Sequence, residues 1–167
     1  MIILPARIYL TALAELWRIT YHQADRKLVL VELPRQSLVI MGAPLTERAV
    51  VDLLKKWIKL KAQVFLKAYF QKLNKKVNSP YKKLNIIASN IEWGYCSPKG
   101  VISLNYKLIF LPRTLVRHLI IHELCHVRYL NHSRRFWHEV KKYDKSWKKN
   151  DTLLYEGNRY IPNWIIY

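Results

Sequence analysis

Hydrophobic residues recur along the chain with two periods, and the changes of period divide it. Residues 18–22, 27–33 and 37–41 are short apolar runs rich in β-branched side chains, with turn signals at Ala24-Asp25 and Pro34-Arg35. They predict an antiparallel meander that Gly42 to Pro44 ends, and residues 4–17 read as a short helix or irregular lead-in. A helical period then takes over. Val50, Leu54, Trp57, Phe65, Ala68, Leu73 and Val77 trace one stripe, and Asp52, Lys56, Lys59, Gln63, Lys67, Gln71 and Lys75 the opposite face. Thr46 can cap this long helix, and Asn78-Ser79-Pro80 stops it.

Residues 84–93 and 101–105 read as strands around the turn Pro98-Lys99-Gly100, which predicts a second hairpin. Pro112 can open a helix. Leu115, Leu119, Ile120, Ile121, Leu124 and Val127 make that helix apolar nearly all round, and such a helix is buried. It is expected to end near Leu130-Asn131. Ser133 then caps a helix over 134–146, with Phe136, Trp137 and Val140 packed on the preceding one. The pattern predicts an α+β fold: a small twisted, mostly antiparallel sheet against the long helix and the buried helix. It also predicts one domain over 1–167, with a β-rich part at 1–44, a helical core at 45–150 and an aromatic tail at 151–167 carrying Tyr155, Tyr160, Trp164 and Tyr167.

The buried helix carries polar residues that need an explanation. His122-Glu123-Leu124-Cys125-His126 has the form H-E-x-x-H. Positions i and i+4 share one helix face, so two imidazoles can aim at one cation while the glutamate leans over the same point as a general base. A hydrolytic zinc site needs a third protein ligand and an open position. His132 is the leading candidate, because a turn after the helix can bring it back beneath the metal. His138 and Glu139 on the next helix are rivals, and a His118–His122 pair is geometrically allowed but displaces Glu123. Zn²⁺ suits three imidazoles with an open corner, with manganese, nickel and cobalt as alternatives.

Further segments join this motif in a fixed order: Trp93-Gly94-Tyr95-Cys96-Ser97, Gly100 to Asn105, Leu111-Pro112, Asn131-His132-Ser133 and Phe136-Trp137. Together, from about Trp57 to Trp147, they resemble the YgjP-like metallopeptidase family, which is similar to the SprT and WLM groups of zincin-like proteins. The resemblance implies a zincin-like fold, His122, His126 and His132 as metal ligands, and Glu123 as the catalytic residue. In zincins an edge strand beside the site holds an extended peptide, which makes Val101, Ser103, Asn105 and Tyr95 candidate substrate-binding residues. The chain departs from the family where Arg-Trp-Gly-Ser-Cys-Ser is usual: here Glu92 replaces the arginine and Tyr95 the serine. Its first part is also short, which suggests that a family strand or two is missing.

Composition narrows the partners. The chain has 167 residues, enough for a substantial core, and 51% of them are hydrophobic, so it is globular. No apolar run reaches the length of a membrane span, and the start lacks the basic and apolar regions of a secretory signal. The expectation is a cytoplasmic protein with reduced thiols at Cys96 and Cys125. With 29 Lys+Arg against 11 Asp+Glu, the net charge is +18. That charge attracts polyanions, and Lys56, Lys59, Lys67, Lys141 and Lys142 are candidates for sequence-independent nucleic-acid contact. The function expected is zinc-dependent hydrolysis of a protein or peptide, with Tyr95, Tyr106, His118, Arg128 and Tyr129 as candidate oxyanion donors. Two alternatives stand beside it: a metal-dependent hydrolase of nucleotide phosphoanhydrides, and a basic nucleic-acid-binding protein with a structural metal site.

Overall fold

A computed structural model describes residues 4–166; Tyr167, one of the tail aromatics, lies outside them. The lead-in is not helical. Ile8 and Leu10 turn inward while Arg7 and Tyr9 face out, the period of a strand, and β1 (Arg7–Leu10) forms there. A 3₁₀ turn at Thr11–Leu13 reverses the chain into β2 (Glu15–Lys27), which continues through Ala24-Asp25 without a hairpin turn, its pairing irregular between His22 and Lys27. Strands β3 (Val29–Leu33) and β4 (Ser37–Ala43) make a hairpin around Pro34-Arg35.

These strands do not form a meander. Strand β4 lies between β2 and β3, giving the order β1-β2-β4-β3, and pairs parallel to β2. The end of β2 therefore crosses the end of β4. Gly42 permits that crossing: its φ is +128°, and a Cβ there would sit 2.6 Å from the Lys27 carbonyl oxygen and the Leu28 Cα. Trp17, Ile19, Leu38 and Ile40 form the buried face of this sheet.

That face packs on helix α1 (Glu47–Val77), where Trp17 meets Trp57 edge to face at 5.0 Å. Thr46 Oγ1 accepts the Ala49 N–H at 3.3 Å, and Asn78 in the left-handed region closes the other end. The middle of the buried stripe differs from expectation. It steps through Ile58, Ala62, Leu66, Tyr69 and Phe70, while Phe65 is half-buried and Ala68 exposed. Phe65 and Ala68 keep to the Trp57 side of the helix, whereas the buried face shifts past Trp57 to the row Ile58, Ala62, Leu66 and Phe70.

A second sheet holds β5 (Lys83–Ile87), β6 (Gly94–Cys96) and β7 (Val101–Asn105) in the order β5-β7-β6. The strand expected over 84–93 stops at Ile87, and the hairpin joins β6 to β7, while β5 runs parallel to β7. Across both sheets, β1–β2, β3–β4 and β6–β7 are antiparallel and β2–β4 and β5–β7 parallel. The α+β class holds, with two small mixed sheets in place of one. Strand β7 is the inner strand, so the edge expected at 101–105 belongs to β6.

Helix α2 (Arg113–His126) ends earlier than Leu130, and α3 (Arg134–Tyr143) ends before Ser146. The segment read as a tail is helical: α4 (Trp147–Tyr155), a 3₁₀ turn (Gly157–Tyr160) and α5 (Asn163–Ile166). Ile161, Trp164 and Ile165 are buried in the main core. Helices α1, α3 and α4 and strand β6 all touch α2, which places its polar residues at the centre. No helix among the described residues is long and apolar enough to cross a membrane.

Candidate metal centre

His122 and His126 stand one turn apart on α2, and His132 returns to them because α2 stops at His126 and Ser133 starts α3, its Oγ accepting the Phe136 N–H at 3.4 Å. The three Nε2 atoms form a closed triangle: 2.9 Å between His126 and His122, 3.0 Å between His132 and His122, and 3.1 Å between His126 and His132. Aromatic packing fixes the rings. His126 stacks on Phe136 at 4.3 Å, and His132 lies near-parallel to Trp137 at 5.5 Å.

Hydrogen bonding cannot satisfy this triangle. The Tyr129 carbonyl only accepts, so the His126 Nδ1 2.8 Å away carries the proton and its Nε2 offers a lone pair. If His122 and His132 both donated to it, their own hydrogens would face each other. A cation satisfies all three nitrogens at once. Nitrogens bound to one zinc at about 2.05 Å lie roughly 3.3 Å apart at tetrahedral angles, so a few tenths of an ångström of widening admits the ion. Burial, and then the neighbouring His126, His132 and His118 rings, push the His122 pKa down to about 2, which keeps the ring neutral as a ligand must be. Burial likewise lowers that of His126.

Glu123 points inward. It is 4% exposed, and its Oε2 has no hydrogen-bond partner among the described residues. Such an orphan is costly unless something polar enters. Burial first, and the charge of Glu92 second, raise its pKa to about 8. Gly94 explains the tight fit. A Cβ there would lie 3.2 Å from Glu123 Cγ and Oε1, so any larger residue would push the Glu123 side chain aside by a few tenths of an ångström. The donor set therefore fits a divalent cation with a carboxylate beside it.

The other sequence candidates fall elsewhere. Glu139 pairs with Lys142 at 2.7 Å, and His138 lies on the exposed face of α3 beside it. His118 is buried one turn before His122, with its Nδ1 2.8 Å from Asp144 Oδ2 and its Nε2 3.5 Å from Asp151 Oδ1. Asn105 is not free to bind substrate. Its Nδ2 donates to the Ser89 and Glu92 carbonyls and its Oδ1 accepts from the Lys107 N–H, which staples the loop ahead of β6. The backbones of Val101, Ser103 and Asn105 are flanked by β5 and β6.

Tyr95 sits on the true edge strand, but side chains alternate along a strand. Gly94 faces Glu123, so the Tyr95 ring faces away. In the ladder, Asn105 N–H donates to the Trp93 carbonyl and Ser97 N–H to that of Val101. The outward backbone groups are thus those of Gly94 and Cys96, which the sequence did not single out. The remaining oxyanion candidates are engaged elsewhere. Tyr106 is buried, and Arg128 donates to the Val77 and Asn78 carbonyls. Tyr129 lines a separate cavity with Glu139. Lys56, Lys59 and Lys67 lie on α1, and Lys141 and Lys142 on α3. Lys59 rests over Tyr106 and Lys142 pairs with Glu139, so this set does not read as one phosphate-tracking face.

Fold and site together define a metallohydrolase class: a half-buried histidine pair on a helix, a third histidine returned by a turn, and an inward carboxylate beside an open strand edge. The model of the YgjP-like metallopeptidase domain matches residues 4–156. The chain belongs to that family and is a metal-dependent hydrolase. The match starts at residue 4, so it covers the first sheet as well. No curated protein is significantly similar. Among solved structures, the metallopeptidase zymogen abylysin of Pyrococcus abyssi is 23% identical, covering 55% of this chain and 93% of that one with a TM-score of 0.47.

Proposed function

We propose that the chain is a zinc-dependent peptidase in which His122, His126 and His132 hold the ion and Glu123 is the general base. One observation carries this reading: three Nε2 atoms meet within 3.1 Å of one another, and the nearby buried carboxylate has an oxygen with no partner. When bound, the ion supplies a Lewis acid and draws the pKa of water toward about 7. The positive charge of a bound ion would draw the Glu123 pKa back down, so that Oε2 takes a proton from the attacking water and delivers it to the leaving amine. Burial keeps that oxygen away from competing solvent. The free edge of β6, through Gly94 and Cys96, pairs with the backbone of an extended substrate and lays it along α2. The cytosol, with the thiols of Cys96 and Cys125 reduced, remains the expected compartment.

The test uses wild type and Glu123→Gln, each loaded with zinc and checked by elemental analysis, on peptides, nucleotides and DNA-bound proteins. Peptide turnover should fall by about 10²–10⁴-fold in the variant while the metal content stays the same. Loss confined to nucleotide turnover would move the function to phosphoanhydride hydrolysis. DNA binding without turnover by either protein would leave a structural metal site.

A further inference from the structure

The catalytic carboxylate opens into a cavity of about 440 Å³ between the loop Ile91–Trp93 and helix α4. That size suits a substrate side chain with some of its backbone. Its charge runs against the rest of the molecule. The chain has 29 Lys+Arg and 11 Asp+Glu, yet the cavity is lined by Glu92, Glu123 and Asp151 and by no lysine or arginine. Glu92 has no ion-pair partner among the described residues, although cations are nearly three times as common as acids in the chain. Asp151 turns Oδ1 toward His118 at 3.5 Å, and among the described residues no protein donor reaches its Oδ2.

The walls are apolar and fixed. Trp93 is wedged against Gly157, where a Cβ would come within 2.8 Å of its ring. Trp137 stacks on Trp147 with centroids 4.2 Å apart. Leu119 and Leu154 also line it, as do His122 and His132 of the metal site. Apolar walls accept a methylene stem, aromatic faces attract a cation, and carboxylates bind its charged head. Glu92 lies two residues before Gly94, so a peptide paired on the β6 edge passes directly beside it.

Resting on the peptidase reading above, we propose that this cavity receives a lysine or arginine side chain next to the scissile bond, with Glu92 and Asp151 selecting the charge. A surface of +18 attracts acidic peptides non-specifically, so any preference for a basic one must come from the cavity itself.

The experiment measures binding separately from cleavage. Fluorescent peptides identical except for Lys, Leu or Glu, scanned through the two positions on either side of the bond, are titrated into Glu123→Gln at physiological ionic strength. At one position the Lys peptide should bind at least about tenfold tighter than the Glu peptide, and Glu92→Arg should erase or reverse that ratio. The Glu92 side chain is exposed and makes no hydrogen bond among the described residues, so the variant keeps the fold; Asp151→Asn also perturbs His118 and serves only as a second probe. Equal binding of the three peptides, preference for Leu or Glu, or a ratio unmoved by Glu92→Arg overturns the proposal. Wild type is assayed for cleavage alongside. Absence of cleavage of every peptide by the zinc-loaded protein overturns the peptidase reading instead, whatever the binding ratios.

Discussion

His118 and His122 stand one turn apart on the same buried helix and live in opposite surroundings. His118 is fully buried and meets two carboxylates, Asp144 at 2.8 Å and Asp151 at 3.5 Å. Asp144 also accepts from the Ser146 N–H and the Asn150 Nδ2, and Arg117 stands 3.8 Å away. Apart from Asp151 Oδ2, which opens on the cavity, the carboxylate and imidazole atoms there have partners among the described residues. His122 meets the Nε2 atoms of two more imidazoles, with an Asp151 carboxylate oxygen within 4.8 Å of one of its ring nitrogens but not hydrogen-bonded to it, and beside it Glu123 leaves an oxygen unmatched. The first cluster is complete and holds α2 to the segment after α3. The second is chemically incomplete and calls for a cation and a water. The contrast separates a buried histidine that stabilises from one that serves chemistry, and composition alone does not distinguish them.

The sharpest way to break this comparison is to remove one member of the incomplete cluster. His126→Ala should abolish stoichiometric zinc after dialysis and lower peptide kcat/KM by at least about a thousandfold, because the ligand count falls below three. Elemental analysis and a turnover assay read both. In wild type, free zinc at a hundredfold excess over its dissociation constant should stabilise the fold by about 2.7 kcal/mol, and the variant should lose most of that gain. A variant that keeps its zinc would remove His126 from the site.

The complementary change strikes the complete cluster. Asp144→Ala strips His118 and Asn150 of their acceptor in a buried place, where leaving one partner of such a pair costs about 3–5 kcal/mol. Urea melts should register that loss, while the zinc content of the folded fraction stays at the wild-type value. If zinc is lost and stability is kept, the roles assigned to the two clusters are reversed.

Much of this site was legible because it is local. His122, Glu123 and His126 lie within five residues, and His132 follows six later, so helical spacing and one turn bring them together. The Thr46 and Ser133 caps were legible for the same reason: each is decided by contacts three residues away. What escaped depends on distant pairing. Asp144 and Asp151 meet His118 across 26 and 33 residues, and no local period announces them. The signal that could have raised them is the burial itself, since a buried histidine on an apolar helix that ligates no metal requires hydrogen-bonding partners, for which carboxylates are candidates. Strand order is non-local in the same way. Alternation identified strand 101–105, but only the insertion of β7 between β5 and β6 turned the expected edge into the centre. Parallel pairing of β2 with β4 likewise leaves no turn signature between them.

A third carboxylate calibrates how much of the Asp144 effect comes from burial. Glu32 on β3 accepts the Trp57 Nε1–H at 2.6 Å and the Lys61 ammonium at 2.8 Å, which ties the first sheet to α1, but its side chain is 42% exposed. Burial alone pushes its carboxyl up; the Lys61 and Trp57 donors outweigh that and leave it below the ordinary value. A pKa lower in the folded state than in the unfolded one contributes stability above the unfolded carboxylate pKa, and that contribution is lost as pH falls through the folded value. Glu32→Gln should therefore cost under about 1 kcal/mol near neutral pH, as solvent-screened pairs do. The gap between wild type and variant should close as urea melts are repeated from pH 6 down through the carboxylate range, and it should shrink with added salt. A gap as large as that for Asp144→Ala, or one that widens in acid, would mean that partners and not burial set the value of a paired carboxylate in this protein. The division between the two histidine clusters on α2 would then need another cause.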